Sequence, residues 1–359
     1  MSILLYWDLL CIKMEHKRIA IVFRYLSRGE VKNMINGTKG DMYTRETLQR
    51  ILDEGCMDIN PRPHYEDIYE GAVYDVSTHT IITSDNEVIE LQPKQTAFQK
   101  EGRVVLWTPA HTLSVNHVWH TYDLSKGESP IITLRPIAIK SAIGEMLWIY
   151  QDKSNNLDLL AEKYGVTWWD AWDIGDRTIG SVYGGTVGPL NLTDEILLDG
   201  IAKNPDSRYH ILNLWQYERF KYPYGLKPCA YETQWNVRHG RDGIDYLDMK
   251  LVQRSSDFAV AGCINQVQYL ALMLMVARHH GYTPGRFTWD ATNVQIYDRH
   301  IEQAKELISR ESVDCNPQLV LNPDKKDFYD VTVDDFSIKG YPKKLVKEKN
   351  PQLKFDLGI

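Results

Sequence analysis

Two periods of apolar spacing run along this chain, and the change from one to the other separates helices from strands. Leu48, Ile51 and Leu52 share one face of the stretch from Thr44 to Gly55, which predicts an amphipathic helix with Gly55 as its C-cap. Between residues 70 and 135 the period shortens. Ala72-Val73-Tyr74-Asp75-Val76 and Val104-Val105-Leu106-Trp107 alternate between turn-rich stretches, which predicts antiparallel sheet. Helical spacing returns from Lys140 to Gln151, where Glu145 shares its face with Ser141, Ala142, Trp148 and Ile149. A carboxylate in that setting is desolvated and its pKa raised, which suits a group that holds or passes a proton near neutral pH. Tyr209 to Trp215 alternates as a strand, and His239-Gly240-Arg241-Asp242-Gly243 carries the Asp-Gly signal of a hairpin turn. Ile264 to Arg278 is apolar nearly all round and is closed by Gly281 and Pro284, which predicts a core helix.

Composition narrows the possibilities. The 359 residues are 43% hydrophobic, enough for a substantial core, and the formal charge of −7 argues against a general duplex-binding surface. Any phosphate must be met by a local cluster of cations, which fits a mononucleotide better than duplex nucleic acid. Cys11, Cys56, Cys229, Cys263 and Cys315 are widely spaced with no CxxC pair, so a reducing cytoplasm and no metal site are expected. The apolar run from Met1 to Ile12 is too short to span a bilayer and is interrupted by Asp8, and no basic region precedes it. No membrane partner is expected.

The candidate chemistry is concentrated between Cys229 and Asn265. Lys227-Pro228-Cys229 supplies a thiol, Gln253-Arg254-Ser255-Ser256-Asp257 a guanidinium, hydroxyls and a carboxylate, and Asn265 a carboxamide. An Arg-Ser pair suits a phosphate oxygen, and a nearby Arg also favours the thiolate that attacks carbon. In this ordered set the chain resembles the thymidylate synthase family, whose Pro-Cys, Gln-Arg-Ser-x-Asp and following Asn have counterparts here.

Further segments extend the resemblance over residues 41–359. Ala142-Ile143-Gly144-Glu145-Met146-Leu147-Trp148 looks like the segment that carries the family's catalytic Glu. Thr167-Trp168-Trp169-Asp170-Ala171-Trp172 is similar to its Trp-Asp-x-Trp, and Gly180-Ser181-Val182-Tyr183-Gly184 to its Gly-Pro-Val-Tyr-Gly. The resemblance implies an α+β fold, a large mixed or antiparallel sheet packed with helices, and a homodimer formed sheet to sheet. It implies dUMP as substrate and 5,10-methylenetetrahydrofolate as co-substrate. Residues 1–40 match nothing in the family and read as an appended element or as lying upstream of a start at Met34 or Met42.

By the same resemblance Cys229, Glu145, Tyr183, Asp257 and Arg254 are the catalytic candidates. Arg62, Arg208, Arg254, Ser255, Asn265, Gln295 and Tyr297 are candidates for the nucleotide, with Arg208 reaching across the dimer. Trp169, Arg135, Asp257 and Ile359 are candidates for the folate, Arg135 at the end of a strand from Pro130 and Ile359 in a closing tail. Some positions admit a plainer reading. Arg62 is either a phosphate contact or a surface loop residue, Asn265 either a reader of uracil O4 and N3–H or a helix N-cap, and the tryptophans either a pocket wall or core packing.

Several positions depart from the family pattern. Ala230 replaces the usual His after the Cys, Tyr209 the second Arg of Asn-Pro-Asp-Ser-Arg-Arg, Gln295 the first His of His-x-Tyr-x-x-His, and Gly185 to Gly188 the usual Gln-Trp-Arg. Prolines also flank Arg62. These departures resemble the phage deoxyuridylate hydroxymethylases, so 5-hydroxymethyl-dUMP is the expected product, with dTMP from a thymidylate synthase as the alternative.

Overall fold

The computed structural model describes residues 37–58, 62–92 and 95–355, apart from the side chains of residues 62–66 and 100. Among the described residues five α-helices have eight residues or more: α1 (Lys39–Glu54), α2 (Ile139–Tyr150), α3 (Leu157–Tyr164), α4 (Cys263–His280) and α5 (Ile301–Ser309). The strands are β1 (Cys56–Met57), β2 (Arg62–Glu70), β3 (Val73–Asp75), β4 (Thr80–Ile82), β5 (Val88–Glu90), β6 (Thr96–Lys100), β7 (Arg103–Ala110), β8 (Thr112–Asp123), β9 (Ile211–Asn213), β10 (Ala230–His239), β11 (Asp245–Asp257), β12 (Thr283–Tyr297) and a separate pair, β13 (Gln318–Leu321) and β14 (Phe336–Lys339).

Helix α1 starts before the Thr44 that apolar spacing suggested, because a polar cap rather than a hydrophobic face sets its beginning. Thr38 accepts from the Asp41 N–H at 3.0 Å, and the Asp41 carboxylate accepts from the Thr38 N–H at 3.3 Å. Two orphan donors of the first turn are thereby satisfied. Asp41 also receives the Thr133 N–H and hydroxyl, each at 2.6 Å. This takes the Thr133 donor away from any ladder, and the expected strand from Pro130 to Arg135 is instead an irregular segment pinned to α1. Gly55 caps α1 in an extended conformation rather than the left-handed one.

The main sheet has six strands in the order β1-β8-β12-β11-β10-β9. All neighbours are antiparallel except β11 and β12. A parallel pair cannot be joined by a tight turn, and here α4 is the crossover. It leaves the end of β11 through a wide turn at Phe258–Gly262 and is closed by Gly281 in the left-handed region at φ 75°. Helix α4 has the length and apolar composition of a bilayer-spanning helix, yet it is the central core helix, packed against α2 and both parallel strands. Trp289, Phe287, Leu251 and Met249 from β12 and β11 fill the space beneath it. Trp119 is 61% exposed.

The antiparallel structure expected between residues 70 and 135 divides unevenly. Only β8 joins the main sheet, while β2-β7-β6 and β3-β4-β5 make two small sheets over a separate core of Ala72, Ile81, Ala97, Val104 and Leu106. Arg62 opens β2, where it pairs with Ala110. Its side chain, like Ile359 and the first 36 residues, lies outside the described residues.

Candidate active site

The register of one strand pair brings the thiol and the guanidinium together. Ala230 pairs with Gln253, which sets Cys229 beside Arg254, and the Arg254 N–H donates to the Cys229 carbonyl at 2.8 Å. The Arg254 side chain then folds back over the same turn. Its Nε donates to Pro228 O at 2.9 Å and one terminal nitrogen to Lys227 O at 2.8 Å and Cys229 Sγ at 3.5 Å. The Trp215 ring lies 5.7 Å from the guanidinium carbon, so the cation is held by two carbonyls and an aromatic face.

Tyr183 approaches Cys229 from the other side. Its hydroxyl accepts from the Cys229 backbone N–H at 2.9 Å. Burial, with the neighbouring Cys229, pushes the phenol well above its ordinary pKa. Tyr183 sits at φ 48°, ψ −116°, a conformation that costs about 1–3 kcal/mol for a residue with a side chain. The two glycines after it have no room for a side chain. A Cβ at Gly184 would lie 1.7 Å from Ser154 O, and one at Gly185 2.2 Å from Gly180 O.

Glu145 projects from α2 into the same region and is buried. Its Oε2 accepts from Trp168 Nε1 at 2.5 Å, and Trp169 and Gln268 also lie against the carboxyl. Desolvation outweighs these donors and pushes its pKa up to about 7. Trp169 stacks edge-on with Tyr183 at 5.1 Å and Trp172 at 5.4 Å, so the tryptophan cluster is at once packing and a wall of this region.

Asp257, at the end of β11, has a pKa raised to about 7 by desolvation, opposed by the Val260 N–H and the Arg135 charge. Its Oδ1 is buried with no protein donor among the described residues. Arg135 itself is turned inward. It donates to Ala259 O at 3.1 Å, Val260 O at 2.6 Å and Cys263 Sγ at 3.4 Å, and its guanidinium carbon lies 5.4 Å from the Phe355 ring. The start of the tail is thus stacked on Arg135.

Asn265 is not an N-cap. It lies inside α4, whose preceding residue is Gly262, and its carboxamide bonds to Gln253 and Gln268. Ser255 Oγ donates to Gln295 Oε1 at 3.3 Å, joining two more candidates across the parallel pair. Tyr297, further along β12, is buried against His300. Trp168, Trp215, Gln253, Gln268 and Trp289 are site residues that sequence reasoning missed. Trp168 and Gln253 lie inside family-like segments, but nothing in their spacing distinguishes them from packing residues.

Arg208 is exposed, and its segment runs beside the middle of β10, where His210 O accepts from the Trp235 N–H at 2.9 Å. Asp206, two residues before it, bonds His239 at 2.8 Å at the hairpin end of β10, while Cys229 precedes the first residue of that strand. From Cys229 to Trp235 the strand spans about 20 Å.

Comparison with known proteins places this arrangement. Residues 94–352 match the family model described as thymidylate synthase. The thymidylate synthase of Lactococcus lactis subsp. lactis (strain IL1403) is 44% identical over 323 residues, which is 90% of this chain and all of the relative. That of Streptococcus gordonii (strain Challis) is 43% identical over 324 residues, again 90% of this chain and all of the relative. Among solved structures, a thermostable thymidylate synthase A from Bacillus subtilis superposes with a TM-score of 0.65 at 33% identity, covering 83% of this chain and 94% of its own. A family model matched over most of the chain, and relatives of 43–44% identity matched along their whole length, make the chain a member of the thymidylate synthase family.

Proposed function

We propose that the protein methylates dUMP at C5 to give dTMP and dihydrofolate. The observation that carries this reading is the convergence of the Cys229 sulfur, the Arg254 guanidinium 3.5 Å away and the Tyr183 hydroxyl on one turn. The relatives named thymidylate synthase favour dTMP over the 5-hydroxymethyl-dUMP expected from the departures at Ala230, Tyr209 and Gln295.

C5 of uracil is a weak nucleophile. The Cys229 thiolate adds at C6 and makes C5 enolate-like, while Arg254 beside the sulfur favours the charged form of the thiol. Arg254 and Ser255 also bind the phosphate of dUMP, and Gln295 and Tyr297 its sugar. Asn265 holds O4 and N3–H of the base. Glu145, poised near neutrality, manages the proton at O4, and Tyr183 passes on the proton lost from C5.

Methylenetetrahydrofolate supplies both the one-carbon unit and the hydride. The residues present fit it: the buried Oδ1 of Asp257 is an acceptor awaiting a donor, and Trp169 offers a flat apolar wall. Arg135, stacked on the Phe355 ring, lies on the same side.

Arg208 completes the phosphate site of the partner subunit in a homodimer. The separation between Arg208 and Cys229 along β10 supports this, because it exceeds the length of a mononucleotide and one protomer therefore does not bring both side chains to the same dUMP. The exposed Trp119 on β8 is suited to burial between two sheets.

The test is turnover of dUMP with methylenetetrahydrofolate, following the nucleotide by mass spectrometry and the folate by near-ultraviolet absorbance. Equal amounts of dTMP and dihydrofolate are expected. Formation of 5-hydroxymethyl-dUMP without dihydrofolate overturns the reading.

A further inference from the structure

A carboxamide alone does not tell uracil from cytosine. It presents an acceptor and a donor side by side, and a half-turn about its last bond exchanges them. One orientation matches the N3–H and O4 of uracil, and the other matches the N3 and amino group of cytosine. We propose that Trp289, Gln253 and Gln268 set the specificity of this site for uracil by forbidding the half-turn of Asn265. The inference rests on the proposed role of Asn265 in binding the base.

The direction of every bond in this chain follows from its obligate ends. Trp289 Nε1 donates to Gln253 Oε1 at 2.8 Å, and an indole N–H can only donate. Gln253 Nε2 donates to the Ser255 carbonyl at 3.0 Å, and a carbonyl can only accept. With both sides of Gln253 so assigned, the same Nε2 must donate to Asn265 Oδ1, also at 3.0 Å. Asn265 Nδ2 then donates to Gln268 Oε1 at 2.9 Å, which leaves the nitrogen side of Gln268 for the acceptor carboxyl of Glu145.

Turning Asn265 over would break both of its bonds and set N–H against N–H and oxygen against oxygen. Gln253, Gln268 and Trp289 are all buried, so water does not compensate. Asn265 is the half-exposed member. It keeps one lone pair and one N–H for the base, in an order decided by a tryptophan two residues removed along the bond chain.

The experiment uses the intact chain and two variants at opposite ends of the chain of bonds, Trp289→Phe and Gln268→Met. For each, the KM for dUMP and the inhibition constant of dCMP against dUMP turnover are measured. The expected result in both is a fall of about tenfold in the preference for dUMP over dCMP, roughly the worth of one to two neutral hydrogen bonds. A purely structural role would lower activity or thermal stability and leave that ratio alone. An unchanged ratio in either variant that still turns over dUMP overturns the inference, and Gln268→Met keeps the test open should Trp289→Phe fail to fold. A parent protein that turns over no dUMP overturns instead the function on which the inference rests.

Discussion

The Tyr183 hydroxyl accepts a hydrogen bond from the Cys229 backbone N–H at 2.9 Å, so the phenol proposed to relay a proton and the proposed nucleophile are fixed to each other. Tyr183→Phe removes this acceptor and the hydroxyl proposed to carry the proton. The expected outcome is a loss of about 100-fold in kcat, in the range of one positioned proton-transfer group, with the KM for dUMP nearly unchanged. Release of tritium from [5-³H]dUMP reads the step directly. Unaltered release would remove Tyr183 from the proton path.

Glu145 makes stability depend on pH in an unusual direction. Its carboxyl is raised from 4.5 in an unfolded chain to about 7 in the fold, so between these values the native state binds more protons and stability falls as pH rises. Asp257, also raised to about 7, acts in the same window. Glu145→Gln removes one of the two ionisations. It should leave the melting temperature little changed near pH 5 and raise it relative to the parent at pH 8, by as much as about 3 kcal/mol of stability. A difference between the two proteins that does not vary with pH would refute the assignment.

Two inactive proteins should restore each other. In a mixed dimer of Arg208→Ala and Cys229→Ala, one site receives both an intact Cys229 and an intact Arg208 from opposite subunits. Activity approaching one quarter of the parent is expected after free exchange, since half the dimers are mixed and each has one whole site. Exchange shown by mass without any recovered activity would place Arg208 outside the partner's site.

Gly184 tests how tightly the Tyr183 turn is held. An added methyl would meet the Ser154 backbone carbonyl at 1.7 Å, where no side-chain rotation relieves the clash. Gly184→Ala should cost about 1–3 kcal/mol and lower kcat as Tyr183 shifts. Equal melting temperatures and kcat in variant and parent would show that the turn yields freely.

The order of chemical groups along the chain determined much of this molecule. The set Cys229, Arg254, Asp257 and Asn265 is legible through its resemblance to a family pattern, whereas the apolar periods of α2 and α4 and the Asp-Gly hairpin between β10 and β11 are local features, readable because each depends on neighbouring residues. The apolar face around Glu145 announced its raised pKa for the same reason. What only the tertiary structure decided are relations between distant segments. The strand expected at Pro130–Arg135 was lost to Asp41, a carboxylate from another helix that took the Thr133 donors. Trp168 and Trp289 carry no distinguishing signal in the sequence, because an indole shows its single N–H only once the fold supplies the acceptor. Gln253 and Gln268 carry no directional information in one dimension. Their orientation arises when β11, β12, α4 and α2 meet and an obligate donor at one end leaves each carboxamide a single way to turn.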